Sequence, residues 1–282
     1  MRVGMTNLDT IIIDSIKYTC RIRIERGYSG MLCSKAGPRV GHIPGVTHDR
    51  SEEGGCAMHA VSRTRKITSC ILKWIVIISA VIGICMSAYA GKNIFMGGSR
   101  VFMYFTIQSN ILIALISLVG FFFLMRNETV STVWYTVKLV GTISITLTGV
   151  VFAVLLAPLL GASAWNMQNT LTHLVVPAAA VMDFFVIVSG ARIKRQNVIY
   201  VILPPLLYAV YAGIGYMRGW DFARGQNYPY FFLNWGSPAG AFGFTGQLPY
   251  MGCVWWILIL LVFLIVVGWC YLALAERIGK KT

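Results

Sequence analysis

Val254-Trp-Trp-Ile-Leu-Ile-Leu-Leu-Val-Phe-Leu-Ile-Val-Val-Gly-Trp-Cys-Tyr-Leu-Ala-Leu-Ala275 runs without a charged residue. A helix rising 1.5 Å per residue over that stretch is roughly 33 Å long, enough to cross about 30 Å of bilayer hydrocarbon. Strands of a membrane barrel would be shorter and would alternate apolar with polar residues, and this stretch does neither. It predicts a transmembrane helix over about 252–275. Five other segments meet the same standard, at about 71–90, 101–125, 133–160, 170–190 and 198–217. With 57% hydrophobic and only 12% charged residues, the chain reads as all-α: a polytopic membrane helical bundle of six transmembrane helices.

Lys and Arg in short loops orient such a bundle, because they are retained on the cytoplasmic side. Arg63, Arg65 and Lys66 precede the first span, and Lys73 falls in its first turn as drawn. Arg192, Lys194 and Arg195 join spans four and five, and Arg277, Lys280 and Lys281 follow span six. The opposite links are poorer: 161–169 has no charge, the first has Lys92 and Arg100, and the fifth sets Arg218 and Arg224 against Asp221. The pattern places both termini in the cytoplasm of a cell-membrane protein. The net charge of +14 then reads as topology and contact with anionic membrane lipids. No nucleic-acid partner is expected.

Residues 1–66 are a different material from the membrane domain, 67–282. They hold 11 of the 24 basic residues, scattered Gly and Pro, and no sustained periodicity beyond Ile11-Ile12-Ile13. Disorder is one reading; a true start at Met58 is the other. No secretory signal is expected here, since the apolar run is too short. The seven cysteines form no CxxC, and their spacing fits neither zinc nor a disulfide framework.

Past residue 66 the carboxylates are Glu128, Asp183, Asp221 and Glu276, and the one histidine is His173. That poverty excludes a multi-His metal centre, and no phosphate-cradling glycine loop or G-x-S-x-G elbow is present. No cofactor or metal is called for. Chemistry would have to use hydroxyls, amides and His173. Thr106, Asn110 and Ser117 share one face of span two, with Ser109 beside it. Both spans two and four enter from the same side, so Thr106 and His173 lie at similar depth. An ionisable residue inside a span is a functional hypothesis; the plainer alternatives are hydroxyls bonded to their own helix and an imidazole satisfied by a neighbouring carbonyl. Pro177 removes a backbone donor opposite the His173 carbonyl and is expected to widen the helix there. Deeper toward the other face, Lys138 and Asp183 are expected to form a structural ion pair. The 218–251 link, rich in Trp220, Tyr228, Tyr230, Phe231, Phe232 and Trp235, is suited to cap a cleft on the His173 side.

Three stretches together resemble the bacterial Pr6Pr family of six-span membrane proteins: Tyr104-Phe-Thr106-Ile-Gln-Ser-Asn110, Thr172-His173-Leu-Val-Val-Pro177, and Tyr228-Pro-Tyr-Phe-Phe-Leu-Asn234. That family in turn resembles the androgen-induced membrane proteins of eukaryotes, and the likeness covers about 68–276. It implies an intramembrane hydrolase of fatty acid esters, a threonine-dependent enzyme in which Thr106 is the nucleophile and His173 the base. Ser109 or Asn110 would orient the pair or donate to the oxyanion. An acyl-ester lipid would be the substrate. The alternative function is a small transporter or channel, for which Pro204-Pro205 in span five and the Thr142/Thr146 and Ser144/Thr148 stripes of span three speak, or a non-catalytic membrane scaffold.

Overall fold

The computed structural model describes residues 63–92, 98–126, 128, 130–188 and 193–280. The expectations for residues 1–62, and for Arg192 and Lys281, lie outside the described residues. Everything described belongs to one compact unit, Met58–Thr282. Six helices long and apolar enough to cross a membrane account for most of it: α1 Arg63–Gly91, α2 Phe105–Met125, α3 Thr132–Ser163, α4 Met167–Val188, α5 Arg195–Met217 and α6 Cys253–Gly279. Among the described residues there is no β-strand, only two isolated bridges in the α5–α6 link.

Two buried clusters hold the helices together. Val76, Ala80, Ile113, Ile145, Val176 and Ala180 join α1 through α4. Leu139, Ile143, Phe184, Val198, Val201 and Leu264 join α3 to α6. The outer surface is also apolar, with Ile71, Ile78, Leu115, Leu207, Val262 and Val266 exposed. A helix that is apolar all round suits lipid on its outer side and other helices on its inner side.

Proline placement explains the local irregularities. Pro204 and Pro205 stand at the junction where a 3₁₀ segment, Arg195–Ile202, becomes the α-helix Leu203–Met217. Proline is well placed at a first helical turn, where its missing N–H has no partner to lose. Pro158 and Pro177 sit inside helices, and each is preceded by a π turn, Phe152–Leu156 in α3 and Leu171–Val175 in α4. A proline ring crowds the carbonyl four residues back. In both places the residue before the proline instead bonds five residues back, Ala157 N–H to Phe152 O and Val176 N–H to Leu171 O. The widening expected at Pro177 takes this form. Gly149 then lets α3 close on it, since a Cβ there would lie 2.9 Å from His173 O.

One expectation about the first helix needs correction. Lys73 is not a marker at a helix entrance. The helix begins at Arg63 and not near residue 71, which puts Lys73 ten residues in, where it is 2% exposed.

Candidate active site

Thr106 is the second residue of α2, so its backbone N–H belongs to the first turn, where no carbonyl of the same helix can reach it. That N–H donates to Tyr230 Oη at 3.3 Å, while Thr106 Oγ1 lies 3.4 Å from His173 Nε2 and 3.4 Å from Tyr230 Oη. These side-chain separations are long for hydrogen bonds. Nucleophile–base pairs are often looser before substrate arrives.

The surroundings of His173 decide its tautomer. Nδ1 lies 3.1 Å from Asn169 O and 3.0 Å from Thr172 Oγ1. A carbonyl can only accept, and the Thr172 hydroxyl already donates to Gln168 O at 2.8 Å. Both neighbours therefore call for a proton on Nδ1. The neutral ring then presents the bare Nε2 lone pair to Thr106 Oγ1. The ring is held by stacking on Phe152, with centroids 3.9 Å apart and planes 24° apart. Phe152 opens the π turn of α3 and His173 lies within that of α4, so the two irregular turns present their rings to each other.

Ser109 and Asn110 are close by but turned away from the cavity. Ser109 Oγ lies 3.0 Å from Thr106 O and 2.7 Å from Thr148 Oγ1. Asn110 Nδ2 donates to Thr106 O at 2.8 Å and to Thr172 O at 3.2 Å. The second of these carbonyls needs a side-chain donor, because Val176 N–H is spent on Leu171 O and the next residue, Pro177, has none. Both amide protons of Asn110 are thus engaged with backbone oxygens. Ser117 is buried further along the same helix.

Tyr230 fills the donor role instead. Its oxygen accepts the Thr106 N–H, which leaves its own proton available to donate to an oxygen beside it, Thr106 Oγ1 among them. Phe232 stacks on it at 5.1 Å and Tyr104 meets it edge-on at 5.7 Å. Burial raises its pKa above that of a free phenol, so it stays protonated and able to donate. Thr106, His173 and Tyr230 all line a cavity of about 420 Å³ at this end of the bundle.

Asp183 lies in the other half of α4 and takes no part in this site. Its carboxylate is reached by Lys138 and by Lys73, both on Oδ2, while Ser69 Oγ donates to Oδ1. The second lysine was not legible in the sequence, because the apolar run that draws the eye begins only after the real helix has made two turns. Tyr230 and Phe152 were equally unmarked as site residues: the first is one of many aromatics in its loop, the second one apolar residue of many in its span.

No family model, curated protein or solved structure matches this chain. Fold and surface define a multi-pass α-helical membrane protein, and what its cavity does is read from the cavity's own geometry.

Proposed function

We propose that the protein hydrolyses lipid esters at the membrane, with Thr106 as nucleophile and His173 as general base. The observation that carries this reading is His173 Nε2 standing 3.4 Å from Thr106 Oγ1 at the wall of one cavity, with Nδ1 beside Asn169 O. Each of the three stretches that resemble the six-span family contributes one side chain to this place: Thr106, His173 and Tyr230. Thr106 Oγ1 attacks the ester carbonyl carbon as Nε2 takes its proton. The tetrahedral oxyanion receives the Tyr230 O–H and lies at the positive end of the α2 dipole. Collapse breaks the carbon–oxygen bond, and the leaving alkoxide takes the proton back from Nε2–H. Water, deprotonated by the same nitrogen, then releases the fatty acid and restores the threonine.

The hydroxyl stripes of α3 favour this over a conducting path. Thr142, Ser144, Thr146 and Thr148 each donate to the carbonyl four residues back, which commits their protons to their own helix. Labelling with a fluorophosphonate and hydrolysis of a panel of acyl lipids test the proposal. Wild-type protein should label and turn over. Thr106→Ala and His173→Ala should each abolish both with extraction yield unchanged, and the pair should be no worse than either alone. Full turnover by Thr106→Ala would refute the nucleophile.

We also propose that the end bearing Arg63, Lys66, Lys194, Arg195 and Arg277 faces the cytoplasm, with the cavity on the opposite side. Reporter fusions after Asn197 and after the C-terminus should read cytoplasmic, and fusions at Gly161 or Gly236 external. A cytoplasmic reading at Gly236 would sink this orientation.

A further inference from the structure

Two cavities meet at Thr106, and one carries more polar groups in its wall than the other. The larger, about 420 Å³, lies at the end of the bundle and counts Ser87, Ser163, Asn166, Gln168 and Asn169 among its walls. Among the described residues no Lys, Arg, Asp or Glu lines it. Arg100 and Asp221, at the same end of the bundle, are spent on each other at 2.7 Å. The second is a slot of about 60 Å³ between α3, α5 and α6, walled by Leu147, Val151, Ala209, Leu233, Ile257 and Leu261. Thr106, Tyr230 and Leu156 are common to both, so a bond attacked by Thr106 has one side in each.

We infer that the site takes uncharged esters, with the acyl chain starting in the slot and a hydroxyl-bearing, uncharged alcohol portion in the larger chamber, against its amide and hydroxyl side chains. The chemistry rests on the hydrolase reading above; the selection by charge rests on the two cavities alone. Amide and hydroxyl side chains can satisfy alcohol groups. A phosphate or carboxylate in the chamber would leave water for a wall that offers no cation, and an uncompensated charge is expensive to desolvate.

A matched pair of lipids tests this on the full-length protein in detergent: 1-decanoylglycerol and 1-decanoylglycerol 3-phosphate, which share the ester and differ by one phosphate. Wild-type protein should hydrolyse the first with a kcat/KM at least about tenfold higher, the direction set by burying an unpaired charge. Thr106→Ala protein, unable to turn over, should bind the first more tightly by a similar ratio, read from the quenching of tryptophan fluorescence. Gln168→Lys, which places a cation in the chamber, should narrow both ratios. Ala209→Phe should lower the preference for decanoyl over acetyl esters by about tenfold as the slot fills. Equal or reversed ratios in the wild-type and binding assays overturn the charge selection, and an unchanged chain-length preference in Ala209→Phe overturns the acyl placement. Selective binding without any turnover would leave the selection standing and overturn the hydrolase.

Discussion

Tyr230 is the residue whose role the geometry sharpens most. Its hydroxyl accepts from Thr106 N–H at 3.3 Å and keeps its own proton, while stacking on Phe232 fixes the ring independently of that oxygen. Tyr230→Phe therefore removes the donor and also leaves the Thr106 N–H without its acceptor. In the proposed mechanism kcat should fall by about 10²-fold, as loss of one oxyanion donor does elsewhere, with KM nearly constant. Thermal stability in detergent should fall by at most the roughly 1–3 kcal/mol that an unpaired donor costs. A wild-type kcat in Tyr230→Phe would remove the tyrosine from the mechanism. At this scale the sequence was partly legible. Thr106 and His173 stand out because a hydroxyl and the bundle's one imidazole occupy matching depths of two spans, and the structure brings them within 3.4 Å. Asn110 has the same face and spacing, yet its amide is committed to Thr106 O and Thr172 O. Face and depth are periodic properties; which way an amide points depends on which carbonyl a distant proline has left without a donor.

Among the elements, the π turn of α4 is what sets His173 against Phe152 and Thr106. Pro177 sustains it, since an N–H at that position would be free to bond His173 O and restore ordinary helix geometry. Pro177→Ala should therefore rotate residues 171–175, withdraw Nε2 from Thr106 and reduce ester hydrolysis at least about tenfold, because small misplacements of a catalytic group are costly. The melting temperature should hold or rise, as a helix-interior proline is replaced by the best helix former. Full activity with raised stability would show that the turn does not position the imidazole. The six spans themselves were plain from apolar length alone, and α6 most of all. Their ends were less so. The apolar run of the first span starts near residue 71, but the helix starts at Arg63, because a basic helical turn is stable at the membrane edge, where its side chains reach water and anionic lipid. The π turns had only the prolines as a signal, and a proline does not announce which way a helix will relax.

For the molecule as a whole, Asp183 ties three helices at one point. Ser69 and Lys73 reach it from α1 and Lys138 from α3, and all three ionisable side chains are at most 6% exposed. Two lysines share one carboxylate, so the carboxylate is the member whose loss matters most. Asp183→Asn should strand both lysines and cost at least about 3–5 kcal/mol, the penalty for breaking a buried pair from one side. In detergent this would appear as a sharp fall in monodisperse yield and melting temperature. Adding Lys138→Met to Asp183→Asn should recover only part of the loss, because Lys73 remains unpaired in the same pocket. The triple variant with Lys73→Met as well should recover most of it, since replacing a buried ionic cluster by apolar side chains of similar volume is often neutral or better. Ester hydrolysis should survive in the triple variant, because Asp183 makes no contact with the Thr106 site. If the double variant already matches the triple, Lys73 is not bound to the cluster. If Asp183→Asn is as stable as the wild type, the carboxylate does not hold the bundle together.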